Sequence, residues 1–305
     1  MKLEQKLFGV TFQNPVLLAS GTCGYGEEMQ DFFDIDQLGG IVIKAVTTEA
    51  RVGNPAPRVI EFEAGMMNSI GLANVGVAEV KRHKLPWLGT HLQRAHVLVN
   101  VAGKTVAEFA DIIRELDDTN GFLGYELNVS CPNVKEGGTW FSSRADLLAE
   151  AVRAARSATR RPLIVKLAPN VPDIGAMAEV AAGEGADGLT LINTFPGLLF
   201  DLKTRRARLG AGTGGVSGPA ILPMGVHAVY QASRRVRIPI IGVGGIRTAE
   251  DALQYFLAGA SLIQIGTASF ADPRAGHRVL FELKDRVAAL GVSHLSDLIG
   301  SGRLN

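Results

Sequence analysis

Cysteine is scarce in this 305-residue chain, which contains only Cys23 and Cys131. Two thiols cannot complete a four-cysteine zinc or iron–sulfur site, and they provide no disulfide framework. We therefore expect no metal centre in this chain. The lack of a disulfide framework favours a reducing compartment, so the cytoplasm is the expected location.

Charge of one sign and long hydrophobic runs are also lacking. The 31 Lys and Arg residues balance 30 Asp and Glu residues, so the net charge of +1 is not the basic excess typical of a nucleic-acid-binding protein. No apolar run is long enough to cross a membrane, and Lys2, Glu4 and Lys6 argue against a signal-peptide core. We expect a soluble protein that binds neither nucleic acid nor membrane.

Hydrophobic residues make up 47% of the chain and occur in short runs that alternate with helical patterns. Most runs are apolar throughout, as in parallel strands that are covered on both faces. Repeated β–α units without a break in composition predict an α/β fold, a (β/α)8 TIM barrel that occupies residues 1–305 as a single domain. The predicted strands are 16–20, 40–45, 96–101, 125–130, 163–167, 188–194, 239–242 and 262–266.

Helices and long loops fill the intervals between these strands. Apolar spacing and capping residues predict helices at 143–160, 173–183 and 248–259, and another that begins at Pro273. The connections after the second and sixth strands, 47–94 and 195–237, are far longer than simple turns. Extended loops of this kind are usually lids, ligand loops or partner surfaces.

Polar residues and glycines stand at the carboxyl ends of the predicted strands. Each one alone would be interpreted as a capped loop or a solvated charge. Because the carboxyl ends of barrel strands meet at one rim, where barrel enzymes have their active sites, together they predict a shared ligand site. The residues are Ser20, Lys44, Asn100, Asn128, Lys166, Asn193, Thr194, Gly244, Gly245, Gly266 and Thr267.

Glycines after the last two strands, at 242–246 and 265–268, predict a phosphorylated ligand, because they let backbone N–H groups approach an anion. The segment 210–215 also matches the dinucleotide pattern G-x-G-x-x-G. Polar residues 203–208 precede it, whereas the pattern requires a strand. We therefore reject a dinucleotide site there and interpret the segment as a mobile loop.

Cys131 lies just beyond the fourth predicted strand, in Asn-Val-Ser-Cys-Pro-Asn at 128–133. Pro132 forces the preceding residue to be extended, and Val-Lys-Glu-Gly-Gly at 134–138 is typical of a hinged loop. These features predict a functional thiol next to the ligand site. Cys23, which lies among glycines, has no such context and is interpreted as structural.

Taken in order, these motifs resemble the class 1 dihydroorotate dehydrogenases, especially the NAD-linked class 1B type, over nearly the whole chain. The resemblance also runs through 19–22, 42–45, 53–58, 68–72, 192–194 and 215–219. The loop at 134–138 is the main reason for favouring class 1B. Phe195-Pro196 departs from the pattern, which has a more aliphatic pair after Asn193-Thr194.

The resemblance implies that the chain binds FMN and acts in pyrimidine biosynthesis. It also implies which motif residues bind the cofactor and the substrate. Cys131 would be the catalytic base that takes a proton from dihydroorotate. The residues implied to hold FMN are Ser20, Lys44, Ala45, Asn100, Asn128, Lys166, Ile192, Gly218, Gly244, Gly245, Gly266 and Thr267. Those implied to hold dihydroorotate or orotate are Lys44, Asn68, Ser69, Ile70, Gly71, Leu72, Asn128, Asn193 and Thr194.

Electron transfer to NAD would require a partner subunit, because this chain has neither a credible NAD fingerprint nor enough cysteines for a cluster. The resemblance implies that this partner carries FAD and a [2Fe-2S] cluster, and that a homodimer core lies within a heterotetramer. The alternatives are a class 1A enzyme that reduces fumarate, a tRNA dihydrouridine synthase, and a phosphate-binding aldolase or isomerase barrel. Membrane-bound class 2 enzymes are disfavoured because they have Ser at the base position.

Overall fold

The computed structural model describes residues 2–130, 132–133 and 139–304. The strands are, in chain order, β1 (Gln5–Leu7), β2 (Val10–Phe12), β3 (Val16–Leu18), β4 (Gly40–Val46), β5 (Val59–Phe62), β6 (Gly65–Asn68), β7 (His96–Val101), β8 (Gly124–Asn128), β9 (Pro132–Asn133), β10 (Thr139–Trp140), β11 (Leu163–Lys166), β12 (Gly188–Leu191), β13 (Phe195–Gly197), β14 (Gly214–Ser217), β15 (Ile240–Val243) and β16 (Leu262–Ile265).

The helices lie mostly between the long strands and cover them. They are α1 (Val77–Glu79), α2 (Leu85–His91), α3 (Val106–Leu116), α4 (Ala145–Ala158), α5 (Ile174–Gly183), α6 (Leu222–Ser233), α7 (Ala249–Ala258), α8 (Ala268–Ala271) and α9 (Ala275–Ala289), and a π-helical turn, Val80–Lys84, joins α1 to α2. Within the described ranges, no helix is long and apolar enough to span a membrane.

Parallel strands close into an eight-stranded barrel in the order β3, β4, β7, β8, β11, β12, β15 and β16, and β16 pairs back with β3. Strands that are consecutive in the barrel are joined by connections that pass over its outer face, and helices in these connections bury the outward side chains. The predicted (β/α)8 barrel is confirmed, and each predicted strand corresponds to one barrel strand.

The predicted ends of the strands and helices were less accurate, by up to three residues. The strand predicted at 188–194 ends at Leu191, and the one predicted at 125–130 ends at Asn128. The side chain of Asn128 accepts a hydrogen bond from the N–H of Ser130 at 3.3 Å, which turns the chain out of the sheet. Likewise, the C-terminal helix begins at Ala275 instead of at Pro273.

The barrel interior consists of an apolar layer and a polar layer. At the amino ends of the strands, the fully buried side chains are Leu17, Val42, Leu98, Ile164, Ile241 and Leu262, closed from below by Phe12 of the β1–β2 hairpin. Side chains alternate between the two faces of a strand, so the next inward positions lie two residues further along. On four of these six strands that position is polar, and the residues are Lys44, Asn100, Lys166 and Gln264.

The two extended connections pair with each other over the carboxyl ends of the barrel strands. β5 and β6 from the first connection and β13 and β14 from the second form an antiparallel four-stranded sheet in the order β13, β14, β6 and β5. Met67 pairs with Val216, and Asn68 pairs with Gly215. The sequence analysis did not predict this sheet, because its central pairing joins segments that lie far apart in the chain.

Candidate active site

A cavity of about 1260 Å³ lies between the carboxyl ends of the barrel strands and the four-stranded sheet. This volume exceeds the roughly 300–1,000 Å³ usual for a single small ligand. Every described residue that was predicted to contact the cofactor or the substrate lines this cavity; their contacts with ligands stay predictions. They are Ser20, Lys44, Ala45, Asn68, Ser69, Ile70, Gly71, Leu72, Asn100, Asn128, Lys166, Ile192, Asn193, Thr194, Gly218, Gly244, Gly245, Gly266 and Thr267.

The floor of the cavity is the polar layer of the barrel. Lys166 and Asn100 line the cavity beside Glu126, which is fully buried. The Nζ of Lys166 lies 3.7 Å from Oε1 of Glu126, and Nδ2 of Asn100 donates to the same oxygen at 2.7 Å. The Oδ1 of Asn100 is buried and has no partner among the described residues. A buried acceptor without a partner is costly, so we expect a ligand to provide its donor.

Lys44 provides a positive charge on the cavity wall. Its backbone N–H donates to the carbonyl of Gly24 at 2.9 Å, which fixes the end of β4. The side chain is half-buried and lines the cavity, and its ammonium has no ion-pair partner within the described part of the chain. An ammonium that is partly removed from water favours an anionic ligand.

Two asparagines on the cavity wall hold each other in place. Nδ2 of Asn193 donates to Oδ1 of Asn128 at 3.2 Å, and Oδ1 of Asn193 accepts from the backbone N–H of Thr194 at 2.8 Å. These bonds fix the orientation of both amides. An amide offers donors and an acceptor, which suits a ring that carries alternating C=O and N–H groups.

The predicted substrate loop, 68–72, is anchored from behind by Asn54. Its side chain donates to Oγ of Ser69 at 2.9 Å, and its backbone N–H donates to the carbonyl of Ile70 at 3.0 Å. Gly71 has φ +74, and a Cβ there would lie 2.6 Å from the backbone nitrogen of Asn54. The close approach of these two segments therefore requires glycine at position 71.

The predicted phosphate end of the cavity is built on glycines and one buried tyrosine. Gly244 has φ +127 and Gly245 has φ +73, conformations that few other residues adopt. The hydroxyl of Tyr255 donates to the carbonyl of Gly244 at 2.8 Å. Burial raises the pKa of the Tyr255 hydroxyl, so the group remains a donor at neutral pH. This bond fixes the turn after β15.

Of the two cysteines, only Cys23 lies within the described residues. Cys131 and the loop 134–138 lie outside the described residues. Cys23 is buried, and its Sγ lies 3.5 Å from the carbonyl oxygen of Ala19 and 3.4 Å from that of Val42. Burial, and then the nearby Glu28 carboxylate, raises the pKa of the Cys23 thiol to about 12. The structural interpretation of Cys23 is confirmed.

The glycine-rich segment at 210–215 does not form a dinucleotide-binding turn. It follows irregular chain, and it leads into β14 of the antiparallel sheet instead of into a helix. The segment therefore lacks the strand–turn–helix arrangement on which a dinucleotide site is built. The interpretation as a loop was partly wrong, because Gly214 and Gly215 belong to β14 and Gly215 pairs with Asn68.

The sequence analysis missed several residues that support the site from outside the cavity or from behind its loops. Glu126, Thr190 and Gln264 lie in the barrel interior below the cavity, and Asn54 supports the substrate loop. One signal was available for Glu126, because it is an acidic residue between Tyr125 and Leu127 in an apolar run. It also lies two residues before Asn128 on the same strand, so the side chains of both residues point to the same face.

The fold and the cavity together define a general class of protein, the (β/α)8 barrel enzymes that bind small ligands at the carboxyl ends of their strands. A sequence model described as dihydroorotate dehydrogenase matches residues 2–287. The chain belongs to the dihydroorotate dehydrogenase family. The resemblance that the motifs indicated is therefore confirmed.

Curated relatives match this chain over nearly its full length. A "Putative dihydroorotate dehydrogenase A (fumarate)" from Solibacter usitatus is 49% identical over 300 residues, covering 98% of each chain. A "Dihydroorotate dehydrogenase B (NAD(+)), catalytic subunit" from Geobacillus kaustophilus is 45% identical, covering 98% of this chain and 95% of the relative. A relative of the same name from Geotalea daltonii is 44% identical, covering 98% of this chain and 97% of the relative.

A solved structure has the same fold. It is the dihydroorotate dehydrogenase of Eimeria tenella in complex with ferulenol, and it matches with a TM-score of 0.81, covering 98% of this chain and 88% of that chain. The sequence identity is 24%, so this likeness concerns the fold alone.

We expect Gly245→Ala to weaken FMN binding by about tenfold or more, because moving the turn withdraws its N–H groups from an anion. A Cβ at position 245 would lie 2.8 Å from the backbone nitrogen of Leu222. Gly212→Ala is the matched control, since Gly212 has φ +87 but nothing within 4 Å of its Cβ position. FMN titration of the two apoproteins, with thermal melting of each, measures the difference. Equal affinities would contradict a role for the turn.

We expect Cys23 to be inert toward thiol reagents while the protein is folded. In a Cys131→Ser variant, Cys23 is the only thiol, so at pH 8 labelling should be negligible until urea unfolds the chain. The pKa of the folded thiol is raised to about 12 from 9.0, so its contribution to stability is present below pH 9 and is lost as the pH rises toward 12. Fast labelling of the folded protein at pH 8 would contradict this expectation.

Proposed function

We propose that this chain is the catalytic subunit of an NAD-linked dihydroorotate dehydrogenase, which oxidises (S)-dihydroorotate to orotate in pyrimidine biosynthesis. The observation that carries the proposal is the convergence in one cavity of the Lys44 ammonium, which has no ion-pair partner among the described residues, of paired amides and of a charged floor. Family membership supports this reaction over those of a dihydrouridine synthase, an aldolase or an isomerase. The enzyme is an FMN-dependent oxidoreductase.

The donor set of the cavity fits FMN. The turn at Gly244 and Gly245 offers backbone N–H groups for the phosphate. On the floor, Lys166 offers an ammonium and Asn100 a carbonyl oxygen that has no partner among the described residues, and both suit the pyrimidine edge of the flavin with its C=O and N–H groups. When bound, FMN supplies the acceptor for the hydride from C6 of the substrate. The ammonium of Lys166 would stabilise negative charge on that edge.

The remaining wall of the cavity fits dihydroorotate. Lys44 pairs with the substrate carboxylate, and the amides of Asn128 and Asn193 bind the C=O and N–H groups of the ring. The Sγ of Cys131 takes the proton from C5. The ordinary pKa of a thiol, near 8.5, makes partial ionisation accessible close to neutral pH.

The electron acceptor that we propose is NAD, reached through a partner subunit that carries FAD and a [2Fe-2S] cluster. We also propose a homodimer core within a heterotetramer, located in the cytoplasm. The names of the relatives from Geobacillus kaustophilus and Geotalea daltonii support the NAD-linked type. The name of the relative from Solibacter usitatus, which includes fumarate, makes a class 1A enzyme the second candidate.

The visible spectrum of the purified chain, recorded before and after dihydroorotate is added without oxygen, tests the proposal. We expect a yellow protein that bleaches promptly. Colour should not return with NAD alone, because the partner subunit is missing; return with fumarate would favour class 1A. A yellow protein that does not respond to dihydroorotate contradicts the substrate, and a colourless protein that cannot take up FMN contradicts the cofactor.

We expect Cys131→Ser to slow flavin reduction by dihydroorotate by about 100-fold or more, the usual cost of removing a general base. FMN should remain bound. In the parent protein the rate should rise with pH as the Cys131 thiol ionises, and this rise should be absent in the variant. Stopped-flow absorbance gives both profiles. Cys23→Ser is the matched control, and an unchanged rate in Cys131→Ser would remove this thiol from the mechanism.

A further inference from the structure

A carboxylate lies in the middle of the barrel, below the cavity. Glu126 is fully buried in β8, and its side chain points into the polar layer of the barrel interior. It does not line the cavity, so no predicted ligand contact accounts for it. Burying a charge is costly unless hydrogen bonds and an opposite charge compensate for it.

The contacts of Glu126 come from four other strands of the barrel. Oε1 accepts from Nδ2 of Asn100 at 2.7 Å, and Oε2 accepts from Oγ1 of Thr190 and from Nε2 of Gln264, both at 2.8 Å. Lys166 on β11 provides the positive charge. Every neighbour is a donor, which is the environment of an ionised carboxylate.

Glu126 attracts the ammonium of Lys166 but does not form a hydrogen bond with it. The distance of 3.7 Å between Nζ and Oε1 is too long for a hydrogen bond, and that oxygen already accepts from Asn100. Only 9% of the Lys166 side chain is exposed, so little water reaches the ammonium. The attraction therefore keeps the charge at the floor of the cavity while its N–H donors remain available to a ligand.

Glu126 also fixes the orientation of Asn100. Because the carboxylate binds the amide nitrogen, the carbonyl oxygen of Asn100 points away from it, and this oxygen is buried without a partner among the described residues. One carboxylate thus places a donor, Lys166, and an acceptor, Asn100, at the floor of the same cavity. The pyrimidine edge of a flavin offers the complementary pair, a carbonyl oxygen beside an N–H group.

We propose that Glu126 is a positioning residue for the flavin, because it holds Lys166 and orients Asn100 from below. The proposal rests on the proposed function, since it takes FMN as the ligand. The competing explanation is that Glu126 only completes the packing and hydrogen bonding of the barrel interior. Only the positioning role predicts that the effect of Glu126 on the affinity for FMN depends on the presence of Lys166.

A double-mutant cycle on FMN affinity separates the two explanations. The four apoproteins are the parent, Glu126→Gln, Lys166→Met and the double variant, and fluorescence titration gives the Kd of each. Glutamine keeps the volume of Glu126 and removes its charge. Gln264 presents its Nε2 to this position, and rotation of its amide brings Oε1, which is buried without a partner in the described structure, into place as the acceptor for the new NH2 group. Thermal melting of each apoprotein reports folding separately.

We expect Glu126→Gln to raise the Kd for FMN by about tenfold or more when Lys166 is present, as for the loss of a charged contact. In the Lys166→Met background the same change should leave the Kd within about threefold or lower it, because Glu126 is then an unpaired charge below the flavin. Thr190→Val, which removes one hydrogen bond to Glu126 outside the cavity and retains the charge, should leave the Kd within about threefold.

Equal losses from Glu126→Gln in the two backgrounds, or no loss in the parent, would overturn the proposal. If Glu126→Gln does not fold, Glu126→Asp replaces it in the cycle. Aspartate keeps the charge but is one methylene shorter, so the Kd should rise less, and again only when Lys166 is present. A parent protein that fails to bind FMN would contradict the proposed function itself, whereas a parent that binds FMN and shows an additive cycle contradicts only the role of Glu126.

Discussion

Alternation of side chains along the parallel strands is the constraint on which the site depends. Inward positions recur every second residue, so an apolar layer closed by Phe12 is followed, two residues further on, by a polar layer that includes Asn100 and Lys166. The apolar layer stabilises the barrel. The polar layer can exist only because Glu126, which carries a buried charge, is surrounded by donors from neighbouring strands. The same inward positions of the strands therefore supply both the apolar core of the barrel and the polar floor of the cavity.

The roof of the cavity has a different origin. It is formed by the two extended connections, which pair as an antiparallel sheet. Within the first connection, the segment at Asn54 packs closely against the segment at Gly71. The charged floor, the wall with Lys44, which has no ion-pair partner in the part of the chain that is described, and the sheet above them enclose a cavity of about 1260 Å³. Because the roof belongs to the connections and not to the barrel, it can vary without loss of the barrel.

Local patterns were enough to predict the barrel and the rim, but not the boundaries or the buried network. The runs that became the eight barrel strands were recognised because buried parallel strands are apolar throughout, and strand-end residues such as Lys44 and Asn128 followed from the barrel rule. The strand predicted at 188–194 was too long, because the ladder ends at Leu191 and only Ile192 of the three remaining residues continues the apolar run. The sheet that joins Asn68 to Gly215 was missed, because no local pattern encodes pairing between distant segments.

By itself, the sequence determined the fold class, the family and the set of residues at the rim, because periodicity and motif order are local properties of the chain. Only the tertiary structure decided how those residues are held. It placed Glu126 against Lys166 and Asn100, left the carbonyl oxygen of Asn100 without a partner in the described structure, and buried Cys23 so that its thiol pKa rises to about 12. These properties depend on distance, burial and orientation between residues of different strands, which arise only when the barrel closes.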